Sequence, residues 1–298
     1  MRQPNWTASA ADQPGVRAIP PGLHFVSTPI GAARDITLRA LDVLAGADLL
    51  LAEDTRTLKH LMEIHGVPLG SRHVMSYHEH SGEAVAARLI AALREGKSAA
   101  YASEAGTPLI SDPGFVLARS VVAEGLPIFA APGPCAAICA LTVSGLPSDR
   151  FLFAGFAPTT GSARLRYLEE FAAVQATLIF YESPKRVGAL LADLVTVCGG
   201  ARHAVVCREL TKRFEEVARG TLADLAGDFS DRAVRGEIVV LVDRAVPEEA
   251  SAEHIEAALV AALQTMSVKD AASVVSQTLG IPRKMAYRIA LERSKGGD

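Results

Sequence analysis

The feature of this sequence that most constrains its fold is an alternation of short apolar runs and amphipathic segments, separated by glycine or proline. The alternation begins at Leu23. Apolar runs that alternate with helical segments predict a parallel or mostly parallel α/β sheet. The predicted strands of this part are 23–28, 48–52, 73–76, 97–102 and 126–130. The predicted helices are 37–45, 55–64, 83–94, 114–123 and 136–142, the last closing this half.

A turn-rich break at 145–149 predicts a domain boundary, because glycine and proline interrupt both strands and helices. A second α/β set follows the break. Its predicted strands are 151–155, 176–181, 203–208, 215–219 and 237–242, and its predicted helices are 163–171, 184–197 and 222–228. Two α/β lobes joined by a short linker imply a cleft between them, and such clefts commonly bind ligands.

The two ends of the chain differ from its middle. Residues 1–20 show no periodicity and predict a flexible tail. After a linker at 245–249, three helical stretches at 252–264, 268–279 and 282–293 have helix-turn-helix spacing. We therefore expect a tail at 1–20, an N-terminal lobe at 21–147, a C-terminal lobe at 148–244 and a small helical domain at 251–298.

The helical domain admits two interpretations. It could be a bundle that only packs on the body, or it could dock on nucleic acid. Residues 281–295 contain five basic residues and one acidic residue, whereas the whole chain has a formal net charge of -3. A local basic excess on an acidic chain favours nucleic-acid docking. In the last helix, Met285, Ile289 and Ala290 are predicted to pack inward and Arg293 to face solvent.

The composition excludes several classes of protein. Hydrophobic residues make up 49% of the chain, too many for a disordered protein, and four cysteines are too few for a disulfide scaffold. The uncharged stretch 126–148 contains four prolines, so it does not predict a membrane span. The first twenty residues lack the apolar segment of a signal peptide. We expect a soluble cytoplasmic protein.

No metal site is predicted. Cys135 and Cys139 lie in an apolar stretch without a nearby histidine, so we interpret them as core residues. His78 and His80 would share one face of a strand, but no third ligand follows at a suitable spacing.

Gly/Pro turns end three predicted strands of the first lobe, at 28–31, 103–108 and 132–134. Glycine allows close approach of a ligand to the backbone, so three such turns indicate a pocket at the carboxyl edge of the sheet. The alternative is that α/β loops are generally rich in these residues. Acidic residues also follow strands in both lobes, where they could converge on the cleft. The alternative is that residues at these positions cap helices, as Asp54 and Ser183 could.

These turns occur together in one known family. The chain resembles the tetrapyrrole methylase superfamily and, within it, the 16S ribosomal RNA cytidine 2′-O-ribose methyltransferases. The resemblance runs from about residue 23 to the C-terminus. It rests on TPIG at 28–31, AEDTR at 52–56, SYHEH at 76–80, AGTPLISDPG at 105–114, PGP at 132–134, YESP at 181–184, RELTK at 208–212 and GEIV at 236–239. Departures from the family pattern are Ala32, Glu104, Cys135 and Lys185.

The resemblance implies that S-adenosylmethionine lies in the cleft, held largely by main-chain groups. The residues implied for cofactor binding are Thr28, Pro29, Gly31, Glu104, Gly106, Thr107, Pro108, Pro132, Gly133 and Pro134. The implied reaction is attack of a cytidine ribose 2′-oxygen, in the decoding region of 16S rRNA, on the methyl group. The resemblance also implies a homodimer.

The protein must align the reacting atoms and help to remove a proton from the hydroxyl. The candidate bases or orienting groups are Glu53, Asp54, His78, Glu182, Glu209 and Lys212, and the sequence does not choose among them. The candidate RNA-binding cations are Arg56, Arg150, Lys185, Arg208, Arg283, Lys284 and Arg288.

Two other functions are compatible with the sequence. One is methylation of a small tetrapyrrole-type substrate on the same fold, which the basic helices disfavour because a small soluble substrate needs no such module. The other is a non-catalytic RNA-binding protein that keeps a vestigial pocket.

Overall fold

A computed structural model describes residues 19–77, 82–111, 114–245 and 252–295. The chain divides into two compact units, the first formed by 1–172 and 176–243 and the second by 173–175 and 244–298. The first unit contains two α/β lobes, each built on a five-stranded sheet. Of the predicted tail, only residues 19 and 20 are described, and of the predicted linker only residue 245.

The first sheet is parallel in every described pairing, as the alternation of strands and helices predicts. Its strand order is β3-β2-β4-β1-β5. The strands are β1 (Gly22–Val26), β2 (Leu49–Ala52), β3 (Val74–Ser76), β4 (Ser98–Ala102) and β5 (Ile128–Ala131). The helices that follow them are α1 (Leu38–Gly46), α2 (Thr55–Ile64), α3 (Gly82–Arg94), α4 (Phe115–Ala123) and α5 (Ala136–Ser144).

Both faces of the first sheet are buried. Leu50 belongs to the apolar cluster on one face, with Val26 and Leu44, while its neighbour Leu51 belongs to the cluster on the other face. Successive side chains of a strand point to opposite faces, so a strand buried on both sides reads as a continuous apolar run. This is why the short runs in the sequence marked the strands.

The second sheet is mixed. Only β6 and β7 pair in parallel, and the other described pairings are antiparallel. Its order is β6-β7-β10-β8-β9. The strands are β6 (Phe151–Phe156), β7 (Thr177–Glu182), β8 (His203–Arg208), β9 (Glu216–Thr221) and β10 (Ile238–Val242). The helices are α6 (Gly161–Glu169), α7 (Val187–Cys198) and α8 (Leu222–Ser230).

Helix α5 packs on the second sheet, so the prediction that it closes the first half is wrong. Its buried residues Ala137, Ala140 and Leu141 share a cluster with Ile179 and Leu241 of the second lobe. Cys135 and Cys139 pack partly buried against the same cluster, as expected of core residues. The helix follows the first lobe in sequence but buries its apolar surface against the second, which ties the two lobes together.

The described part of the second unit contains three helices, α9 (Ala252–Leu263), α10 (Val268–Leu279) and α11 (Arg283–Lys295). Gly280 ends α10 with φ of 65°, a left-handed conformation that glycine adopts without strain. No described helix of the protein is long and apolar enough to cross a membrane.

One residue of α11 differs from its predicted environment. Met285 is exposed, and Ala286 packs inward with Ala290, because residues four apart share one face of a helix. Arg293 faces solvent as predicted, and its guanidinium also forms an ion pair with Glu256 of α9. The register of α11 thus leaves its basic residues Arg283, Lys284 and Arg288 exposed.

The ion pairs of Glu216 at the edge of the second sheet predict a pH-dependent contribution to stability. Glu216 accepts hydrogen bonds from Arg208 Nε (2.9 Å) and from Arg232 Nη1 and Nη2 (both 2.7 Å). The hydrogen bonds from Arg232 are the main reason that the pKa of Glu216 falls from 4.5 to about 2. Because the folded-state pKa lies below the unfolded value, this carboxylate stabilises the fold above about pH 4.5, and its contribution is lost as the pH falls toward 2.

The Glu216→Gln variant should therefore lose about 1–2 kcal/mol of unfolding free energy near neutral pH, after allowance for solvent screening. Urea unfolding at a series of pH values measures this. The difference between wild type and variant should shrink as the pH is lowered from about 4.5. A difference that stays constant across that range would show that the carboxylate charge does not stabilise this edge.

Candidate active site

A cleft of about 640 Å³ lies between the two lobes of the first unit. This volume falls in the range of small-molecule binding sites. The first lobe lines it with the loops that follow β1 and β4, together with residues of α2 and α5. The second lobe lines it mainly with the loops that follow β7 and β8 and the loop that precedes β10. The first-lobe residues are Pro29, Ile30, Gly31, Thr57, Glu104, Ala105, Gly106, Thr107, Ile110, Ser111 and Ala136. The second-lobe residues are Phe156, Tyr181, Glu182, Ser183, Pro184, Cys207, Leu210, Lys212, Gly236, Glu237, Ile238 and Val239.

The three Gly/Pro turns of the first lobe are joined by hydrogen bonds. Thr28 and Gly106 exchange two backbone bonds, N to O, of 2.9 and 3.0 Å. Thr107 Oγ1 donates to the carbonyl of Pro134 at 2.8 Å. Pro108 is buried beside this junction. The predicted convergence of these turns at one sheet edge is therefore present in the structure.

The turn at 132–134 lies behind the cleft: none of Pro132, Gly133 and Pro134 is among the described residues that line it. A Cβ at Gly133 would lie 2.8 Å from Ser27 Cβ, so glycine is needed there for contact with the protein itself. The ligand-approach explanation for this glycine is not supported. The turn contributes through the Pro134 carbonyl, which fixes the Thr107 side chain.

Gly31 also serves a contact within the protein. A Cβ at this position would lie 2.6 Å from Lys212 Cγ and 3.0 Å from the carbonyl oxygen of Leu210. The next residue, Ala32, donates its N–H to Thr211 Oγ1 at 3.1 Å. Glycine therefore allows the first-lobe turn to approach the second-lobe loop that carries Lys212.

The loop after β4 contains backbone strain at the cleft wall. Leu109 and Ser111 have φ of 73° and 61°, a left-handed region that side chains disfavour, and Gly106 has φ of 80°. Each such non-glycine residue costs on the order of 1–3 kcal/mol, and strain of this kind concentrates at binding sites. Loop 106–111 is thus held in an unfavourable conformation where it faces the cleft.

Glu182, the last residue of β7, is a buried carboxylate in the cleft wall, only 3% exposed. Its Oε1 accepts a hydrogen bond from the N–H of Ser183 at 2.7 Å. Arg186 Nη2 forms an ion pair with Oε2 at 3.0 Å, while its hydrogen bonds go to the carbonyls of Ala157 and Pro158. Oε2 is thereby left without a hydrogen-bond partner among the described atoms. A buried acceptor in this state is equipped to take a hydrogen bond from a bound molecule.

Lys212 is held between two carboxylates. Its Nζ donates to Glu209 Oε1 at 2.9 Å and to Glu237 Oε2 at 3.0 Å. Burial lowers the pKa of Lys212, but these hydrogen bonds outweigh it and the pKa is raised. The hydrogen bond from Lys212 lowers the pKa of Glu209. Lys212 is therefore a fixed cation at neutral pH, suited to orient or neutralise a ligand and not to accept its proton.

The backbone around this cluster is also unusual. Glu209 and Thr211 have φ of 51° and 65°. A Cβ at Gly236 would lie 2.4 Å from Glu209 Cδ, so the carboxylate packs directly on the glycine backbone. These constraints hold Glu209 in the position from which it pairs with Lys212.

The remaining candidate acids do not line the described cleft. Asp54 is the N-cap of α2: it accepts the N–H of Arg56 at 2.7 Å and pairs with the Arg56 guanidinium at 3.2 Å. The capping interpretation is thus confirmed for Asp54. Ser183, by contrast, is not an N-cap, because α7 begins at Val187 after a turn. Glu53 is half-buried next to Asp54, and His78 lies outside the described residues.

The candidate RNA-binding cations separate into two groups. Arg208 is bound to Glu216, so the structure does not offer it as a free phosphate-binding group. The others are exposed: Arg56, Arg150, Lys185, Arg283, Lys284 and Arg288. In the second unit, Lys269, Arg283, Lys284 and Tyr287 line a shallow, open depression of about 460 Å³.

Sequence reasoning missed several cleft residues, among them Phe156, Tyr181 and Glu237. Tyr181 and Glu237 belong to motifs quoted above, YESP and GEIV, but only their neighbours had been assigned a role. Phe156 is placed by an irregularity in β6, which no simple alternation of the sequence reveals. No group of three or more potential metal ligands occurs within the described ranges, and the absence of a bound metal stays a prediction.

Comparison with known proteins identifies the family. A family model described as Tetrapyrrole (Corrin/Porphyrin) Methylases matches residues 22–226, and one described as RsmI C-terminal HTH domain matches 248–294. The ribosomal RNA small subunit methyltransferase I of Mesorhizobium japonicum is 45% identical, with 93% of each chain covered. The protein of the same name from Escherichia coli O157:H7 is 39% identical over 91% of this chain and 95% of its own.

The chain belongs to the ribosomal RNA small subunit methyltransferase I family of tetrapyrrole methylases. This confirms the family resemblance predicted from the sequence, and it identifies the chain as a methyltransferase. The family has the fold observed here.

Solved structures share this fold at lower identity. The methyltransferase CobJ superposes with a TM-score of 0.58 at 18% identity, covering 75% of this chain and 94% of its own. A uroporphyrin-III C-methyltransferase from Thermus thermophilus superposes with a TM-score of 0.53 at 23% identity, with the same coverage. They support the two-lobed architecture of this methyltransferase family member and nothing about its substrate.

Proposed function

We propose that this protein transfers the methyl group of S-adenosylmethionine to the ribose 2′-hydroxyl of a cytidine in the decoding region of 16S rRNA. The observation that carries the proposal is the buried Glu182 carboxylate in the wall of the cleft that loop 106–111 also lines, because its Oε2 has no hydrogen-bond partner among the described atoms. The names of the relatives support RNA of the small ribosomal subunit as substrate.

The residues of the cleft fit S-adenosylmethionine. Glu104, Glu182 and Glu237 line it against one lysine, which suits a ligand with a positively charged sulfur. The turns at 28–31 and 104–108 would hold the ligand through main-chain groups, with the turn at 132–134 supporting them from behind. A related uroporphyrin-III C-methyltransferase structure is described as complexed with S-adenosyl homocysteine. When bound, S-adenosylmethionine supplies an electrophilic methyl group that needs no further activation.

Glu182 and Lys212 have different roles toward the substrate. Glu182 Oε2 accepts the hydrogen bond of the ribose 2′-hydroxyl and takes its proton as the oxygen is alkylated. Lys212, kept protonated by Glu209 and Glu237, donates to a ribose or phosphate oxygen and fixes the nucleotide. Of the six candidate groups, this scheme uses two at the reacting atoms and Glu209 as a positioning residue. Asp54, the N-cap of α2, has a structural role in it.

The second unit supplies the RNA affinity in this proposal. Lys269, Arg283 and Lys284 surround Tyr287 at its open depression, a combination of cations and an aromatic ring that suits an RNA backbone and a base. Phosphate contacts position a protein on RNA without reading its sequence. A small tetrapyrrole substrate would need no such surface.

We also propose a homodimer that acts in the cytoplasm. Apolar side chains on α4 support self-association, because Phe115, Val116 and Val122 are each at least 60% exposed. Exposed apolar patches of this kind commonly mark interaction surfaces.

The role of Glu182 as the base is tested by substitution. The Glu182→Gln variant keeps the shape of the side chain but loses the carboxylate, so methyl transfer to small ribosomal subunits should slow by roughly 10²–10⁴-fold. Transfer of a labelled methyl group followed by nucleoside analysis measures this, and the wild-type product should be 2′-O-methylcytidine. Glu169→Gln, on the exposed surface of α6, is the control and should retain full activity. A different methylated nucleoside would overturn the proposed reaction, and full activity of Glu182→Gln would exclude Glu182 as the base.

The role of the Gly106 turn in cofactor binding is tested by substitution. Valine at Gly106 would have to adopt φ of 80°, with its Cβ 3.2 Å from Ile30 Cγ2, so the loop must move. The Gly106→Val variant should bind S-adenosylmethionine roughly tenfold or more weakly by calorimetry. Gly96→Val is the matched control, since Gly96 has φ of 78°, a Cβ there would meet no described heavy atom within 4 Å, and the residue lies away from the cleft. Both variants should lose stability, and only Gly106→Val should lose affinity. Equal affinity in both would refute the loop assignment.

The role of the basic depression of the second unit in RNA docking is tested by a double substitution. The Arg283→Gln, Lys284→Gln double variant should bind small ribosomal subunits more weakly, with a salt dependence of log K smaller by about 2. Affinity for S-adenosylmethionine should not change. The control variant, Lys59→Gln with Arg166→Gln, removes two exposed cations from the first unit. If both double variants show the wild-type salt dependence, the basic depression does not contact RNA.

A further inference from the structure

Phe156 is an aromatic side chain exposed within the cleft. It is the last residue of β6, the residue is 54% exposed, and it lines the cleft together with Tyr181 and Glu182 of β7. Large apolar side chains in concave sites commonly contact ligands. The scheme above assigns this ring no role.

A β-bulge aims Phe156 into the cleft. The register between β6 and β7 shifts between Phe153 and Gly155, and Gly155 has φ of 67°. In a regular strand, residues three apart point to opposite faces. Here Phe153 and Phe156 both contact the ring of Tyr181, with ring centroids 4.8 and 5.7 Å away. Bulges of this kind redirect side chains beside active sites.

Tyr181 fixes the position of the Phe156 ring. The Tyr181 hydroxyl accepts the N–H of Ala137 at 3.0 Å, which anchors the tyrosine to the start of α5. Its ring meets Phe156 in a T-shaped contact with an interplanar angle of 68°. An edge-to-face contact of this kind holds one part of the phenylalanine while more than half of the residue stays accessible. The ring is therefore preorganised for a further stacking partner.

Resting on the proposed function, we propose that Phe156 is a stacking platform for the base of the target nucleotide, an unpaired cytosine turned out of the RNA. Bases in unpaired RNA are recognised by stacking on aromatic side chains. Enzymes that modify a nucleotide commonly take it out of the stack first. Phe156 is paired in the sheet with Tyr181, directly before Glu182. Base and ribose of one nucleotide can thus contact Phe156 and Glu182 together.

The same ring chemistry would suit the adenine of the cofactor. We assign the platform to the substrate because Phe156, Tyr181 and Glu182 all belong to the second lobe. The residues expected to hold the cofactor belong to the loops of the first lobe. The experiment separates these two sources by measuring the affinity for each ligand.

The first arm compares substitutions at Phe156 in methyl transfer to small ribosomal subunits. Stacking energies imply that Phe156→Ala lowers kcat/KM by roughly 5- to 150-fold. Phe156→Trp should stay close to wild type, whereas Phe156→Leu, apolar but without a π face, should resemble the alanine variant. Affinity for S-adenosylmethionine should not change in any of them. Phe151→Ala, which removes an exposed phenylalanine from the other end of β6, is the matched control and should leave activity unchanged.

Three outcomes would overturn the inference. Wild-type activity of Phe156→Ala would show that the ring is not needed, and wild-type activity of Phe156→Leu would show that apolar bulk suffices. A loss of S-adenosylmethionine affinity in Phe156→Ala would assign the ring to the cofactor.

The second arm detects stacking without methyl transfer. Trp6 is the only tryptophan of the sequence, so Phe156→Trp in a Trp6→Phe background carries a single fluorophore in the cleft. Unpaired oligocytidine RNA should quench its fluorescence saturably, and a duplex of the same length should not. Equal quenching by both, or none, would contradict the platform. If quenching occurs but wild-type protein methylates no ribosomal subunits, the proposed function fails while the base platform stands.

Discussion

The contact between Gly31 and the loop 210–212 is the constraint on which the rest of the cleft depends. With no space for a Cβ at Gly31, the first-lobe turn can lie directly against Lys212 and the Leu210 carbonyl. The hydrogen bond from Ala32 to Thr211 fixes the same contact. Because the turn also bonds to Gly106, one short segment sets the positions of the strained loop and of the lysine cluster. The glycine thus contributes to the site through lobe packing, a role different from the close ligand approach that its position in a Gly/Pro turn suggested.

Helix α5 provides the second connection between the lobes, and it shows where sequence reasoning ends. The apolar runs and Gly/Pro breaks were sufficient to locate the described strands and helices, because hydrophobic periodicity and turn residues can be read from a short stretch of sequence. They do not specify partners. Helix α5 is apolar on most sides, so its sequence carries no polar face that would identify the sheet on which it packs. The mixed direction of the second sheet was likewise invisible, since strand polarity depends on long-range pairing.

The sequence predicted which loops and charged residues lie near the site, but it did not predict what each residue does there. The sequence placed acids after β2, β7 and β8, and that pattern alone could not separate a helix cap from an open carboxylate. The structure separates them because Asp54 uses its oxygens on the N–H groups of α2, whereas Glu182 Oε2 keeps one acceptor free of hydrogen bonds in the cleft wall. The position of Phe156 depends on a one-residue bulge, and Leu109 and Ser111 adopt left-handed backbone conformations. Such features arise from packing, so no motif or period encodes them.

The cleft of the first unit is acidic, whereas the open depression of the second unit is lined by basic residues. The cleft contains three glutamates and one lysine, and that lysine is already paired with two carboxylates. Such a cleft favours a cationic ligand and opposes the approach of a polyanion, so it cannot by itself supply RNA affinity. In the proposed function, the basic depression of the second unit removes this conflict, because phosphate contacts there provide affinity while the cleft keeps its acidic groups. In that arrangement the cleft has to recognise only the uncharged parts of one nucleotide, its base and its ribose hydroxyl. An exposed aromatic ring beside a buried carboxylate provides a contact for each of them.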